Sequence, residues 1–258
     1  MTSASASSAA TLAEAIDRDL RERGGADRAE KEKAYLKSEL CHYGVSVPET
    51  RTVVREALRG QGLSHDEIIE LAQRLWAPPR AATDSPKATK DSTPVHDRRA
   101  AAAMALIQSQ DLLDAGDADA IERLLREAKT WALVDPLAGD LVGPLSEKDA
   151  GFDPVLERWS RDDDLWIRRS ALLAHLVPLR QGRGNFDRFS RFADAMLEEK
   201  EFFIRKAIGW VLRDASRLRP DLVFEWILPR AHRASGVTIR EAVRRLAPEQ
   251  RDAVLAAR

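Results

Sequence analysis

One cysteine, Cys41, stands in 258 residues, so no intramolecular disulfide framework is possible and a reducing compartment is expected. No zinc-finger spacing can be built from it, and no cofactor motif is present, so neither metal nor cofactor is expected. No window approaches 18 uncharged apolar residues, which excludes a membrane-spanning helix. The Met1–Ala10 run is Ser/Ala-rich and has no basic segment or long apolar core, so it reads as a disordered leader and not a signal peptide. Aromatic residues are scarce at 6%, and charge of either sign does not dominate: the net charge is −1. That balance argues against a uniformly basic nucleic-acid binder. A soluble, cytoplasmic monomer is expected.

What is abundant is Ala, Leu, Arg and Glu, a composition that favours helix over strand. The charge is also unevenly placed. Residues 166–245 hold 17 Lys/Arg against 9 Asp/Glu, a local excess of +8. Such a segment reads either as a local polyanion site or as an arginine-rich solvated helical surface.

Apolar spacing predicts a first helix over 11–23, ended by Gly24-Gly25. A second is expected over 27–43, with Asp27 as N-cap and Ala34, Tyr35 and Leu40 facing inward. Val47-Pro48-Glu49 begins a third helix, running to about Leu58. Ser64 caps a fourth over Asp66–Trp76. Residues 77–94, rich in Pro, Ser, Thr, Lys and Asp, read as a flexible insert within a single domain over 11–258.

Beyond the insert the chain repeats. Trp131-Ala132-Leu133-Val134-Asp135-Pro136-Leu137 aligns with Trp166–Leu172, then with Phe203–Gly209 and Thr238–Arg244; stepping back by 35 reaches His96–Ala102. Each copy is preceded by another helical stretch: Ala118–Lys129, Pro154–Trp159, Phe186–Glu198 and Asp221–Ile227. A period of 35–37 with two helices per unit predicts an all-α, HEAT-like α-solenoid of antiparallel helix pairs with a concave basic groove lined by the second helices.

That row of second helices carries Trp131, Trp166, Trp210, Arg169, Arg205, Lys206, Arg213 and Arg244. Guanidinium groups spaced along a groove suit a phosphate backbone, and aromatic faces suit sugar or base. Trp159, Trp166 and Trp226 fall where each repeat needs a large core residue, so they are expected in the core. Asp135 has two readings. Asp followed by Pro is a good helix N-cap, and a carboxylate four residues beyond Trp131 is also a candidate reactive group. Arg169 and Arg205 are alternatively ties from one repeat to the next.

The run Glu201-Phe202-Phe203-Ile204-Arg205-Lys206-Ala207-Ile208-Gly209-Trp210-Val211-Leu212-Arg213 resembles the signature of the AlkD-like HEAT-repeat DNA glycosylases, the DNA alkylation repair family. Leu165–Arg169 and Lys129–Asp135 are similar to the two preceding repeats. Tyr35-Leu36-Lys37 and Gly44–Pro48 resemble the family's opening helices. The likeness runs from about residue 11 to 250. It implies that Asp135 is the catalytic carboxylate and that Trp131 and Trp210 wall the modified nucleotide. It further implies that Arg169 and Arg213 contact the DNA backbone and that Tyr35 belongs to the N-terminal binding surface; Arg205, Lys206 and Arg244 complete the expected DNA-binding set. Thr130, Ala132 and Ser46 stand where the family often has tryptophan, an acidic residue and glutamine.

The implied activity is hydrolytic release of cationic N3- or N7-alkylpurines from double-stranded DNA, without base flipping and with tolerance of bulky adducts. No lysine has the context of a Schiff-base nucleophile, so strand cleavage is not expected. Two alternatives remain at this point: a non-catalytic HEAT-repeat DNA-binding protein in which Asp135 only caps a helix, and a protein-binding adaptor.

Overall fold

The computed structural model describes residues 8–79 and 93–258. The chain groups into two compact units, Met1–Leu113 and Asp114–Arg258, where the sequence suggested one domain. Both are helical. Among the described residues the β structure is an isolated parallel bridge between Cys41 and Val95.

The first unit holds α1 (Ser8–Arg23), α2 (Ala26–Leu36), α3 (Val47–Leu58), α4 (His65–Trp76) and α5 (His96–Gln108). Leu12, Ile16 and Leu20 recur every four residues and bury one face of α1. That face packs on α3 and α4, and the Ala-rich side of α5 packs against both of these helices. Helix α1 starts at Ser8, inside the expected leader, because Ala9 and Ala10 are buried with the same face; residues 1–7 lie outside the described residues. Ser64 caps α4 as expected, in a box closed by Glu67, and Ser46 with Glu49 does the same for α3. The expected insert at 77–94 falls largely outside the described residues; its far end is tied by the Cys41 N–H, which donates to the Pro94 carbonyl at 3.0 Å.

The second helix departs from expectation. It stops at Leu36, where Lys37 adopts φ +49 and the N–H groups of Lys37 and Ser38 close the last turn. Its N-cap is Gly25, not Asp27, and none of its residues is buried. Tyr35 is 76% exposed, so the expected inward face of Ala34, Tyr35 and Leu40 does not exist. Instead the chain beyond it is fixed by polar contacts: both oxygens of the buried Asp97 accept backbone N–H bonds, from Tyr43 and Val45, at 2.8 Å each.

The second unit holds α6 (Ala118–Ala128), α7 (Trp131–Asp135), α8 (Gly143–Lys148), α9 (Phe152–Trp159), α10 (Leu165–Leu173), α11 (Leu176–Arg180), α12 (Phe186–Ala195), α13 (Phe202–Ala215), α14 (Pro220–Ile227), α15 (Gly236–Ala242) and α16 (Pro248–Ala256). The expected pairs α6/α7, α9/α10, α12/α13 and α14/α15 are all present, so the all-α HEAT-like reading holds. The repeat is also written in polar contacts that span 34–37 residues. Trp159 donates its indole N–H to Glu122 at 2.7 Å, and Trp226 donates to Ser190 at 2.7 Å. Arg126 pairs with Asp162, Arg188 with Asp153, Arg191 with Glu157, Arg180 with Asp214 and Arg230 with Asp194. Much of the arginine excess in 166–245 is therefore used between repeats. Trp159 and Trp226 are core residues as expected; Trp166 is not, being half-buried.

Gly209 sets the closest approach, between α13 and α15. A Cβ there would lie 2.7 Å from the Glu241 Cβ and 2.9 Å from the Thr238 carbonyl oxygen. Gly209→Ala should therefore cost about 1–3 kcal/mol through overpacking, read as a lower denaturation midpoint with unchanged helical circular dichroism.

Candidate active site

The α6–α7 turn is set by Lys129, at φ +51, and by Thr130, whose hydroxyl caps α7 from the Ala132 N–H at 3.4 Å. Asp135 is consequently at the far end of α7 and not at a helix start. Its backbone is helical (φ −63, ψ −47) and its side chain caps nothing. Pro136 follows it and has no N–H to return to the preceding turn. From there the helix continues in the wider π register over Pro136–Val142, closed by the Gly143 N–H on the Ala138 carbonyl. The N-cap reading of Asp135 is thus overturned.

The carboxylate instead faces the next repeat. Arg169 of α10 grips it with two bonds, Nε to Oδ1 and Nη2 to Oδ2, each 2.8 Å. The remaining nitrogen, Nη1, donates to the Phe203 carbonyl of α13 at 2.5 Å. Asp135, Arg169 and Phe203 follow one another at 34-residue steps, slightly short of the repeat, so different positions of three successive second helices join in a single polar chain. A bidentate guanidinium–carboxylate pair fixes orientation as well as charge.

The Arg169 side chain is 2% exposed, whereas that of Asp135 keeps 13%. Arg169 was expected on the DNA backbone; burial and three committed N–H groups make it a holder of Asp135 instead. Burial raises the Asp135 pKa above the usual aspartate value and outweighs the lowering by Arg169 and by the Lys206 charge. Two carboxylates tied between repeats go the other way. Glu122 and Asp162 are both held below their ordinary values: for Glu122, bonds from Arg158, Trp159 and Arg126 overcome burial, and for Asp162 the bond from Arg126 dominates.

Around this pair lies an aromatic and cationic surface. Trp166 and Phe203 rings approach to 5.0 Å between centroids, and Phe203 meets Phe202 edge-on at 5.5 Å. The Arg169 guanidinium lies 5.7 Å from the Phe203 ring, and Lys206 Nζ lies 5.9 Å from the Phe202 ring. Phe202 is 52% exposed. Phe202 and Phe203 had been given no site role. Their signal was in the repeat alignment, where Phe203 occupies the position of Trp131 and Trp166.

The other expected residues are placed as follows. Trp131 is half-buried one helical turn before Asp135, on the same side of α7. Trp210 is half-buried two turns along α13 from Phe203, in a row with the exposed Lys206. Arg205 donates to the Glu199 carbonyl at 2.6 Å, and Arg213 pairs with Glu241. Both are only partly exposed. Arg244 is exposed, on the turn after α15. Tyr35 belongs to the other unit.

Comparison with known proteins adds three findings. The family model described as "DNA alkylation repair enzyme" matches residues 16–83 and 91–246. Among curated proteins none matches. A solved structure described as a predicted DNA alkylation repair enzyme from Enterococcus faecalis superposes with a TM-score of 0.68 at 22% identity, over 88% of this chain and 98% of that one. At that identity the likeness speaks to fold.

Proposed function

The chain belongs to the DNA alkylation repair enzyme family, and from that premise we propose that it is a monofunctional glycosylase releasing positively charged N3- or N7-alkylpurines from duplex DNA. The observation that carries the reading is the Asp135 carboxylate, one turn from Trp131 and held rigidly by Arg169, which lies against Phe203, yet partly open to solvent. Many carboxylates tie repeats together here; Asp135 is raised in pKa by burial while Glu122 and Asp162 are lowered. That is the environment expected of a working carboxylate and not of a plain strut.

Alkylation at N3 or N7 leaves the purine cationic and so a good leaving group, and no acid is needed to protonate it. The bond to C1′ lengthens and positive charge develops on the sugar. In the proposed mechanism Asp135, in a partly dehydrated setting, stabilises that charge and orients the water that adds to C1′. The free base and an abasic deoxyribose result, with the water's proton lost to solvent. Indole and phenyl faces add attraction for the cationic nucleotide, about 0.5–2 kcal/mol per contact. Trp131 and Trp210 act as walls, Phe202 and Phe203 extend them, and the exposed Lys206 and Arg244 meet the phosphates.

The test is release of free 7-methylguanine and 3-methyladenine from methylated duplex DNA, followed by chromatography, with strands intact until alkali is added. Salt-sensitive binding without any released base would instead favour a non-catalytic DNA-binding protein. Because Asp135 must be ionised, the rate should fall as pH drops through a value above the ordinary 3.8 of aspartate. A rate profile over acidic pH, corrected for spontaneous loss, checks the position of that limb.

A further inference from the structure

Away from Asp135, in the first unit, four side chains that no sequence motif joins converge: Glu32 of α2, His42 of the segment after it, and His96 and Asp97 at the start of α5. One potential ligand atom from each lies within 4.8 Å of all the others. The two imidazoles are stacked, 4.6 Å between centroids and 12° between planes. Both direct Nδ1 toward the same Glu32 Oε2, at 3.1 Å from His42 and 3.9 Å from His96. We propose that this cluster is a structural divalent-metal site, with zinc as the ion its donors suit.

Three points carry the proposal. A tetrahedral ion with bonds near 2.0–2.1 Å places neighbouring ligand atoms about 3.4 Å apart, and the two nitrogen–oxygen distances straddle that value. Imidazole and carboxylate are both ligands of zinc. The cluster is enclosed, with His42, His96 and Glu32 side chains 1, 8 and 16% exposed.

The charge also fits. Two carboxylates and two neutral imidazoles around one divalent cation sum to zero, whereas two carboxylates buried together repel. Asp97 already accepts two backbone N–H bonds, which fix its orientation and leave lone pairs for a ligand bond. The position explains why an ion is useful there. Helix α2 buries none of its residues, and Glu32 is where it is joined to the segment at 42 and to α5. An ion at this point would clamp α2, which apolar packing does not hold, to the segment at 42 and to the packed helix α5. With four protein donors it would be closed to substrate, so it is placed in folding and not in base release.

Chelator-stripped full-length protein titrated with Co²⁺ should bind one equivalent and develop the visible ligand-field bands of a low-symmetry site. Zn²⁺ should bleach those bands stoichiometrically and raise the melting temperature. Glu32→Gln and His96→Gln should each weaken the affinity at least about tenfold, while base release by the metal-loaded wild type and by the stripped protein stays equal at a temperature where both are folded. No Co²⁺ bands in the folded wild type, several weak equivalents, or wild-type affinity in both variants would overturn the proposal. If a variant fails to fold, the Co²⁺ spectrum of the wild type decides alone.

Discussion

Asp135→Asn should lower the rate of 7-methylguanine release by about 10²–10³-fold, the range seen when one electrostatic contact to a transition state is removed. Asparagine keeps the shape and removes the charge, so the developing positive charge on the sugar loses its partner while the site keeps its volume. The same change leaves Arg169, 2% exposed, facing a neutral amide in place of two ionised oxygens. A lower melting temperature is therefore expected too, and does not by itself argue for a purely structural Asp135. The rate must be measured well below that temperature, with circular dichroism showing native helix content. Full release by a folded Asp135→Asn protein would remove the carboxylate from the mechanism.

Arg169→Ala should have the larger effect on stability. It strands a buried carboxylate and the Phe203 carbonyl at once, and breaking a buried ion pair from one side costs about 3–5 kcal/mol. For a chain of this size that corresponds to a fall of roughly 10 °C in melting temperature. Arg169→Lys separates the two roles. Lysine restores a positive charge but not the fork that holds both oxygens and Phe203 together. The fold should be kept at a smaller cost, while the acid limb of the rate profile moves to higher pH, because the ionised carboxylate is less well supported. An unchanged limb in Arg169→Lys would mean that Arg169 does not tune Asp135.

Much of the architecture was legible in the chain itself. The 35–37 residue period located every second helix from His96 to Thr238, because each copy repeats an apolar face that must meet its neighbour. Capping by Ser64 was readable, since that bond is local. Errors arose where a local rule met a distant partner. Asp135-Pro136 has the grammar of a helix start, but Thr130 took that role five residues earlier, and the arginine 34 residues away took the carboxylate. Helix α2 is shorter than its spacing suggests and has no inward face, because Ala34, Tyr35 and Leu40 look like a stripe only while nothing shows what lies opposite. Trp166 was assigned to the core by its place in the repeat, yet it lies half-buried against Phe203.

Composition misled in a similar way. The +8 of residues 166–245 suggested a field of free arginines, but Arg180, Arg188, Arg191, Arg213 and Arg230 are each paired with an acid. Net charge counts residues; only contacts say which charges face solvent. For the same reason the Glu32, His42, His96 and Asp97 cluster was invisible, with ligands spread over 66 positions and no repeated spacing.

The sequence by itself determined the repeated helix pairs and their period, because these follow from apolar spacing and turn residues within reach of a few positions. It also determined which residues could form a carboxylate-and-aromatic site. The tertiary structure decided between readings the sequence left open: Asp135 is a carboxylate held by Arg169 and not a cap, and Arg169 is a tie between repeats. Those assignments depend on side chains 34 residues apart meeting, and distance along a chain carries no information about that until the repeats stack.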